Sequence, residues 1–238
     1  VSTAVIVFAK APVPGLAKTR LAPVLGTAGA AALAERMLRH ALAQATAAGV
    51  GPVELCATPD AGHPALQAAA AQHGATLAAQ GSGDLGQRMH RALARSLAAH
   101  GRALLIGTDA PGLDAAVLRQ AAQALQDHDA VFVPALDGGY VLVGQRRADA
   151  RCFDGMAWSH ARVMDDTRER LRAAGVRWAE LAPVADIDEP ADLVHLPPGW
   201  RTDVEAWWPA GSGADVSRLD RILRGPDGGA GDAVRPLA

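Results

Sequence analysis

Three cations, Lys10, Lys18 and Arg20, fall on one stretch, FAKAPVPGLAKTRLAP, that carries no acidic residue. Pro12, Pro14 and Pro23 stiffen it, and Gly15 lets the backbone turn or a ligand come close. A stiff basic loop of this kind suits phosphate oxygens. It is neither of two familiar phosphate cradles. Ala17 precedes Lys18-Thr19 where a P-loop needs glycine, and the G-x-G-x-x-G dinucleotide fingerprint is absent. The opposite charge comes from Asp109, Asp137, Asp186 and Asp188, each placed just after a strand-like segment. Carboxylate oxygens bind Mg²⁺ or Mn²⁺, and such an ion bridges phosphate oxygens. Lysine and arginine then neutralise charge on a leaving diphosphate. A metal-diphosphate ligand is the chemistry this set suggests. Each carboxylate also has a plainer use: Asp109 in a turn before Ala-Pro, Asp137-Gly in a hairpin turn, Asp186 or Asp188 as a helix cap. Capping alone does not explain why all of them follow strands.

These groups share one rim only if the chain builds a parallel sheet. Its pattern predicts one. AVIVF (4–8) reads as a buried first strand, and the basic loop leaves its carboxyl end. Helical spacing resumes near Thr27 and runs to about Ala48, with Gly49 to end it. PVELCAT (52–58) and ATLAAQ (75–80) read as strands, with a short helix at 64–72 between them. Gly81 and Gly83 lead into a helix from Asp84 to about Ala99. RALLIGTDAPGL (102–113) is the clearest strand, breaking at Gly107, and Asp114 is placed to cap the next helix. Residues 129–145 read as strand, turn at Asp137-Gly138-Gly139, and strand. A helix, the strand VRWAELA and DIDEPADL (186–193) follow. Strands alternating with helices predict an α/β fold, and in open α/β sheets ligands bind beyond the carboxyl ends of strands.

Composition narrows the partners. The 238 residues carry a formal net charge of −2, which gives no reason to expect a nucleic acid. No apolar run approaches a membrane span, and no signal sequence opens the chain, so a cytoplasmic protein is expected. The two cysteines, Cys56 and Cys152, match no metal or redox spacing. Beyond Leu196 the composition shifts to Gly, Asp and Arg. Residues 197–238 therefore read as an appended tail, partly ordered, behind a domain of residues 1–196. Trp200, Trp207 and Trp208 are candidates to dock the tail. Asp215 is placed to cap a short helix with Leu219, Ile222 and Leu223 on one face, and a flexible end is expected after Gly225.

FAKAPVPGLAKTRLAP, GDLGQRM, IGTDAP, PALDGGYVLVG, the Trp158-Ser159 pair and DIDEPADL occur in this order. Together they resemble the glycosyltransferase-like family associated with radical-SAM and selenium-related genes, whose members are often named arsenosugar-biosynthesis glycosyltransferases. That family is similar to 2-phospho-lactate guanylyltransferase and to molybdenum-cofactor guanylyltransferase. The resemblance covers residues 5 to 196. It implies a three-layer, Rossmann-like GT-A fold with a mostly parallel mixed sheet, the architecture of nucleotide-diphospho-sugar transferases. It implies that the first loop, with Ala9, Lys10, Pro14, Gly15, Lys18 and Arg20, wraps the nucleotide. Lys18 and Arg20 would lie near the phosphates. Asp109 would hold a divalent metal, Mg²⁺ or Mn²⁺, with Asp188 or Asp186 as the second metal-facing aspartate. Lys18 and Asp109 would be the catalytic pair. Gly83, Asp84, Gly86 and Arg88 would line the base or ribose, and Asp137, Gly138, Gly139, Tyr140 and Trp158 would face the acceptor.

Two reactions fit that resemblance: transfer of a sugar from a nucleotide-diphospho-sugar to a small acceptor, or joining of an NTP to a phosphorylated small molecule. Many metal-dependent GT-A glycosyltransferases carry Asp-x-Asp, whereas GTDAP has a single aspartate, so nucleotidyl transfer stays open. A non-catalytic nucleotide-binding module is a third reading. His160, beside Trp158-Ser159, reads as a surface or capping histidine rather than a general base.

Overall fold

The computed structural model describes residues 2–207 and 222–223. Seven strands form one sheet: β1 (Thr3–Lys10), β2 (Val53–Thr58), β3 (Thr76–Ala79), β4 (Arg102–Ile106), β5 (Ala130–Pro134), β6 (Tyr140–Gln145) and β7 (Trp178–Glu180). Their order is β3-β2-β1-β4-β6-β5-β7. β6 is antiparallel to both its neighbours, and every other pair is parallel. The carboxyl ends of β1, β4, β5 and β7 therefore lie on one rim. This is the α/β fold with a mostly parallel mixed sheet that the sequence predicts.

Side chains alternate across the sheet, as the strand repeat requires. Val5, Val7, Leu104, Ile106 and Val131 face one core. There they meet α1 (Ala22–Ala48), α2 (Pro64–His73) and α4 (Ala115–Ala124). Ile6, Leu105, Phe132 and Val143 face the other, under α3 (Leu85–His100) and α5 (Val163–Ala173). The helices on two faces make three layers.

Two element boundaries differ from expectation, for local reasons. β1 continues to Lys10 because Lys10 still pairs with Thr58 in β2. The basic connection is correspondingly shorter. α1 begins at Ala22, with Pro23 in its first turn, where the missing proline N–H is tolerated. Gly26 then interrupts it at φ 69°, ψ 166°, and the helix restarts where Thr27 marked its start. The break needs glycine, since other residues resist positive φ.

A third apolar cluster joins Leu21, Leu25, Leu33 and Met37 to Ile187, Leu193, Trp200, Val204 and Leu223. Trp200 is buried, lies edge-on to His40 at 5.1 Å, and is covered by the Arg36 guanidinium at 4.6 Å. Residues beyond Leu196 thus pack on α1 through Trp200 and the short helix α6 (Arg201–Trp207). Trp208, the helix expected around Asp215 and Leu219, and the end after Gly225 lie outside the described residues. Among the described residues, no helix is long and apolar enough to cross a membrane.

Candidate nucleotide and metal site

The centre of the rim is Lys18. Its backbone takes the left-handed conformation, φ 47°, ψ 46°, which is uncommon for a residue with a side chain. The side chain reaches the segment after β4 and the 187–188 segment. The ammonium lies 2.7 Å from Asp109 Oδ1 and 2.6 Å from Asp188 Oδ1, and it donates to the Ile187 carbonyl at 2.7 Å. The lysine side chain is only 9% exposed, while each carboxylate is 46% exposed. Burial acts to lower the lysine pKa, but the Asp109 and Asp188 carboxylates outweigh it and the net shift is upward.

Backbone contacts hold this hub together. The Ile187 N–H donates to the Asp109 carbonyl at 2.8 Å, so the end of β4 and the 186–193 segment are tied directly. The amides of Asp188 and Glu189 both donate to Asp192 Oδ2, at 3.0 and 2.7 Å. Asp192 and Glu189 therefore organise the start of the following 3₁₀ turn, Pro190–His195. Asp186 and Asp188, which the sequence offered as caps, are not its N-cap. Asp188 points to Lys18 instead.

One side of the hub opens into a cleft of about 600 Å³ lined by Ala9, Lys10, Lys18, Arg20, Arg88 and Asp109 among others. Its size lies within the range of ligand pockets. Lys10 closes the loop on itself by donating to the Leu16 carbonyl at 2.7 Å. Pro14 and Gly15 are exposed at the loop tip and do not line the cleft. Gly83, Asp84 and Gly86 also stand outside the lining. Asp84 Oδ1 accepts from the Gln87 N–H at 2.9 Å, and Gln87 Oε1 accepts from the Asp84 N–H, a reciprocal cap for α3. Gly86 packs under Trp158, leaving no room for a side chain.

Gln80 belongs to the site although the sequence marked it only as a strand end. It is buried. Its Nε2 donates to the carbonyls of Ala9 and Cys56, both at 3.1 Å, and its Oε1 accepts from Arg88 Nη1 at 3.0 Å. Arg91 pins the same loop through the carbonyls of Gln80 and Ser82. A polar side chain at the carboxyl end of β3, just before Gly81 and Gly83, was the available signal.

The other side of the hub is acidic. A recess of about 360 Å³ is lined by Asp137, Asp186, Asp188, Glu189 and Asp192, with Arg20 and His195. Burial, and then the Asp137 carboxylate, push Asp186 up to about 6. Asp137 Oδ1 also accepts from the Gly139 N–H at 2.8 Å and so shapes the turn before β6. Gly138, at φ 94°, lies so close to the Ala161 carbonyl that a Cβ there would overlap it. A smaller pocket of about 170 Å³ lies beyond, between Leu85, Met89, Gly139, Tyr140, Trp158 and His160. Tyr140 and Trp158 meet edge to face at 6.4 Å. His160 Nδ1 accepts from the Arg162 N–H at 3.2 Å, the role of a local cap.

Oxygen donors suit a hard divalent cation, and two carboxylates plus phosphate oxygens are a usual set for Mg²⁺. Asp109 and Asp188 supply two such donors, and both already share one cation, Lys18. Among the described residues, no three His, Cys, Asp or Glu side chains cluster as a protein-only metal cage. Both thiols are buried. Burial raises the Cys56 pKa and pushes Cys152 up to about 11, so neither is a ready ligand.

The model of a family described as uncharacterized proteins conserved in bacteria (DUF2064) matches residues 41–160. No curated protein matches the chain by sequence. Among solved structures, the chain is similar to a Desulfovibrio desulfuricans G20 protein provisionally assigned as a nucleotide-diphospho-sugar transferase. The TM-score is 0.77 at 29% identity, over 93% of this chain and 96% of that one. A nucleotidyl transferase from Methanothermobacter aligns with a TM-score of 0.55 at 13% identity, over 87% and 97% of the two chains. The synthetase for CMP:2-keto-3-deoxy-manno-octonic acid, complexed with CTP, aligns at 0.52 with 14% identity, over 81% and 95%. The last two share the fold with this chain.

Proposed function

The chain belongs to the DUF2064 family of bacterial proteins, and we propose that it is a transferase that takes a sugar from a nucleotide-diphospho-sugar to a small neutral acceptor. The observation that carries this reading is the sidedness of charge about Lys18. Lys10 and Arg88 line only the cleft, Asp137, Asp186, Glu189 and Asp192 line only the recess, and Arg20 and Asp188 stand between and line both. A diphosphate fits the first environment. A phosphorylated acceptor entering the second would meet mostly carboxylates, whereas a hydroxyl would not be repelled. The likeness to the Desulfovibrio protein supports the same reading.

In this mechanism Lys18 and Arg20 neutralise the diphosphate as the bond to the sugar breaks. Arg88, held by Gln80, contacts the nucleotide on the β3 side of the cleft, with the loop from Gly83 to Gly86 beside it. Asp109 and Asp188 would hold Mg²⁺ or Mn²⁺, which would supply Lewis-acid charge to the leaving diphosphate. Asp137, Gly138, Gly139, Tyr140 and Trp158 bound the acceptor side. Residues 1–196 form the transferase domain in this reading, with 197–238 appended to it.

A second reading, nucleotidyl transfer, is favoured by one feature: the second carboxylate beside Asp109 comes from Asp188 rather than from an Asp-x-Asp pair. Chromatography of reaction products separates the two. Nucleoside diphosphate released from a nucleotide sugar in the presence of a hydroxyl acceptor supports sugar transfer. Pyrophosphate released from an NTP only with a phosphorylated acceptor replaces it with the second reading. Turnover of neither class across a full donor panel sinks both.

A further inference from the structure

Lys18 stands where a bridging cation would stand. Its ammonium touches Asp109 Oδ1 and Asp188 Oδ1 at nearly equal distances, 2.7 and 2.6 Å. Both oxygens are therefore within reach of one small cation at that point. The ammonium is buried beneath, and the carboxylates are half open to the cleft. A cation arriving from the cleft meets the carboxylates first.

We infer that Lys18 is a place-holder for the divalent ion, so that metal entry and the phosphate-facing use of Lys18 are a single exchange. This rests on the metal assignment to Asp109 and Asp188 proposed above. Two cations cannot share so small a space without strong repulsion. When a divalent ion takes the two carboxylates, the ammonium leaves them. The geometry allows that departure without rebuilding the loop. The Lys18 backbone is held by its left-handed turn and by the Leu21 N–H on its carbonyl. The loop before it is held by Val13, whose carbonyl accepts the N–H groups of Leu16 and Ala17. Only the four-carbon stem moves, and Lys18 already lines the cleft into which it would turn. There its charge meets the phosphates that the metal also contacts. In the free protein the same ammonium keeps two adjacent carboxylates from repelling one another. A permanent strut would make the same contacts but would never leave them.

Two measurements with Mn²⁺ alone, without nucleotide, decide between these. Mn²⁺ titrations followed by electron paramagnetic resonance compare the wild type with Lys18→Met and Asp109→Asn. Removing the competing ammonium is expected to tighten Mn²⁺ binding by about tenfold or more, equivalent to ~1.4 kcal/mol, and Asp109→Asn is expected to weaken it. Separately, acylation of the wild-type protein, mapped by peptide mass, is expected to show Lys18 protected without Mn²⁺ and labelled at least several-fold faster with it. Mn²⁺ binding by Lys18→Met that is equal to or weaker than wild type overturns the exchange, and so does unchanged labelling of Lys18. If Lys18→Met does not fold, the wild-type labelling decides alone. Neither measurement needs a donor or acceptor. An absence of nucleotide binding or turnover would remove the transferase reading and leave this result distinguishable.

Discussion

The Ile187 N–H donates to the Asp109 carbonyl at 2.8 Å, and the Ile187 carbonyl accepts from Lys18. One peptide segment thus fixes the spacing of the two carboxylates and the depth of the lysine. The Ile187 side chain, fully buried, anchors that segment in the cluster containing Leu21 and Trp200.

Because the backbone tie does not involve the Asp109 side chain, Asp109→Asn is expected to fold. Its melting temperature should stay within a few degrees of wild type, with metal-dependent turnover reduced about 100-fold or more. Calorimetric scans and initial rates across a Mn²⁺ series check this. A variant retaining full metal-stimulated activity would remove Asp109 from the metal site.

Trp200→Ala removes a buried tryptophan that joins residues beyond Leu196 to α1. It is expected to destabilise the protein by about 3–5 kcal/mol. Since Leu21 and Ile187 share its cluster, nucleotide affinity should fall as well. Urea unfolding and titration calorimetry read the two effects, and unchanged affinity would show that the cluster does not transmit to the hub.

Gln80→Leu keeps the approximate volume but leaves the Ala9 and Cys56 carbonyls short of a donor and frees Arg88. Burying unpaired polar groups costs about 1–3 kcal/mol. The sharper expectation is a several-fold weaker nucleotide affinity in the folded fraction. Equal affinity in the variant would make Gln80 structural only.

Two glycines with similar positive φ should respond differently to alanine. Gly15, φ 78°, has open space around a built Cβ, so Gly15→Ala is expected to cost about 1 kcal/mol. Gly138, φ 94°, has the Ala161 carbonyl in that space. Gly138→Ala should lose at least about 2 kcal/mol or fail to accumulate as folded protein. Denaturation midpoints of the two variants test the contrast.

Glu180 gives a pH signature remote from the site. Arg168 donates to both of its oxygens, at 2.9 and 2.7 Å, joining α5 to β7. That hydrogen bonding holds the Glu180 carboxyl below its usual pKa. A depressed folded-state pKa stabilises the protein above the unfolded value, and the stabilisation is lost as pH falls through the folded one. Glu180→Gln should therefore show a flatter fall of urea midpoint with acidification from about pH 5 downward. An acid limb as steep as that of wild type would discount the pair.

The legible part of this molecule was set by short-range rules. The carboxyl end of β4 could be read because an apolar run stops at Gly107 and leaves Asp109 beyond it. The Asp114 cap followed from residue type and spacing. Less visible was whatever depends on contacts far apart in sequence. The sequence suggested cations and carboxylates flanking a ligand, yet Lys18 touches both carboxylates itself. That depends on a left-handed backbone at lysine, which residue type argues against. The reach of Gln80 to Ala9 crosses from the end of β3 to β1, and local patterning marks only a polar residue at a strand end. The placement of β6 between β4 and β5 depends on pairing across the sheet, which the strand-turn-strand pattern alone does not choose.

The burial of both thiols has a practical side. Cys56 is enclosed in the sheet, and Cys152 carries a pKa pushed up to about 11. At neutral pH neither offers much thiolate to an alkylating probe. The native chain is accordingly a quiet background for reporter chemistry. Leu16, 55% exposed at the lip of the cleft, is a natural place for one introduced cysteine. A fluorophore attached there would follow the basic loop directly, with no native cysteine to be removed first.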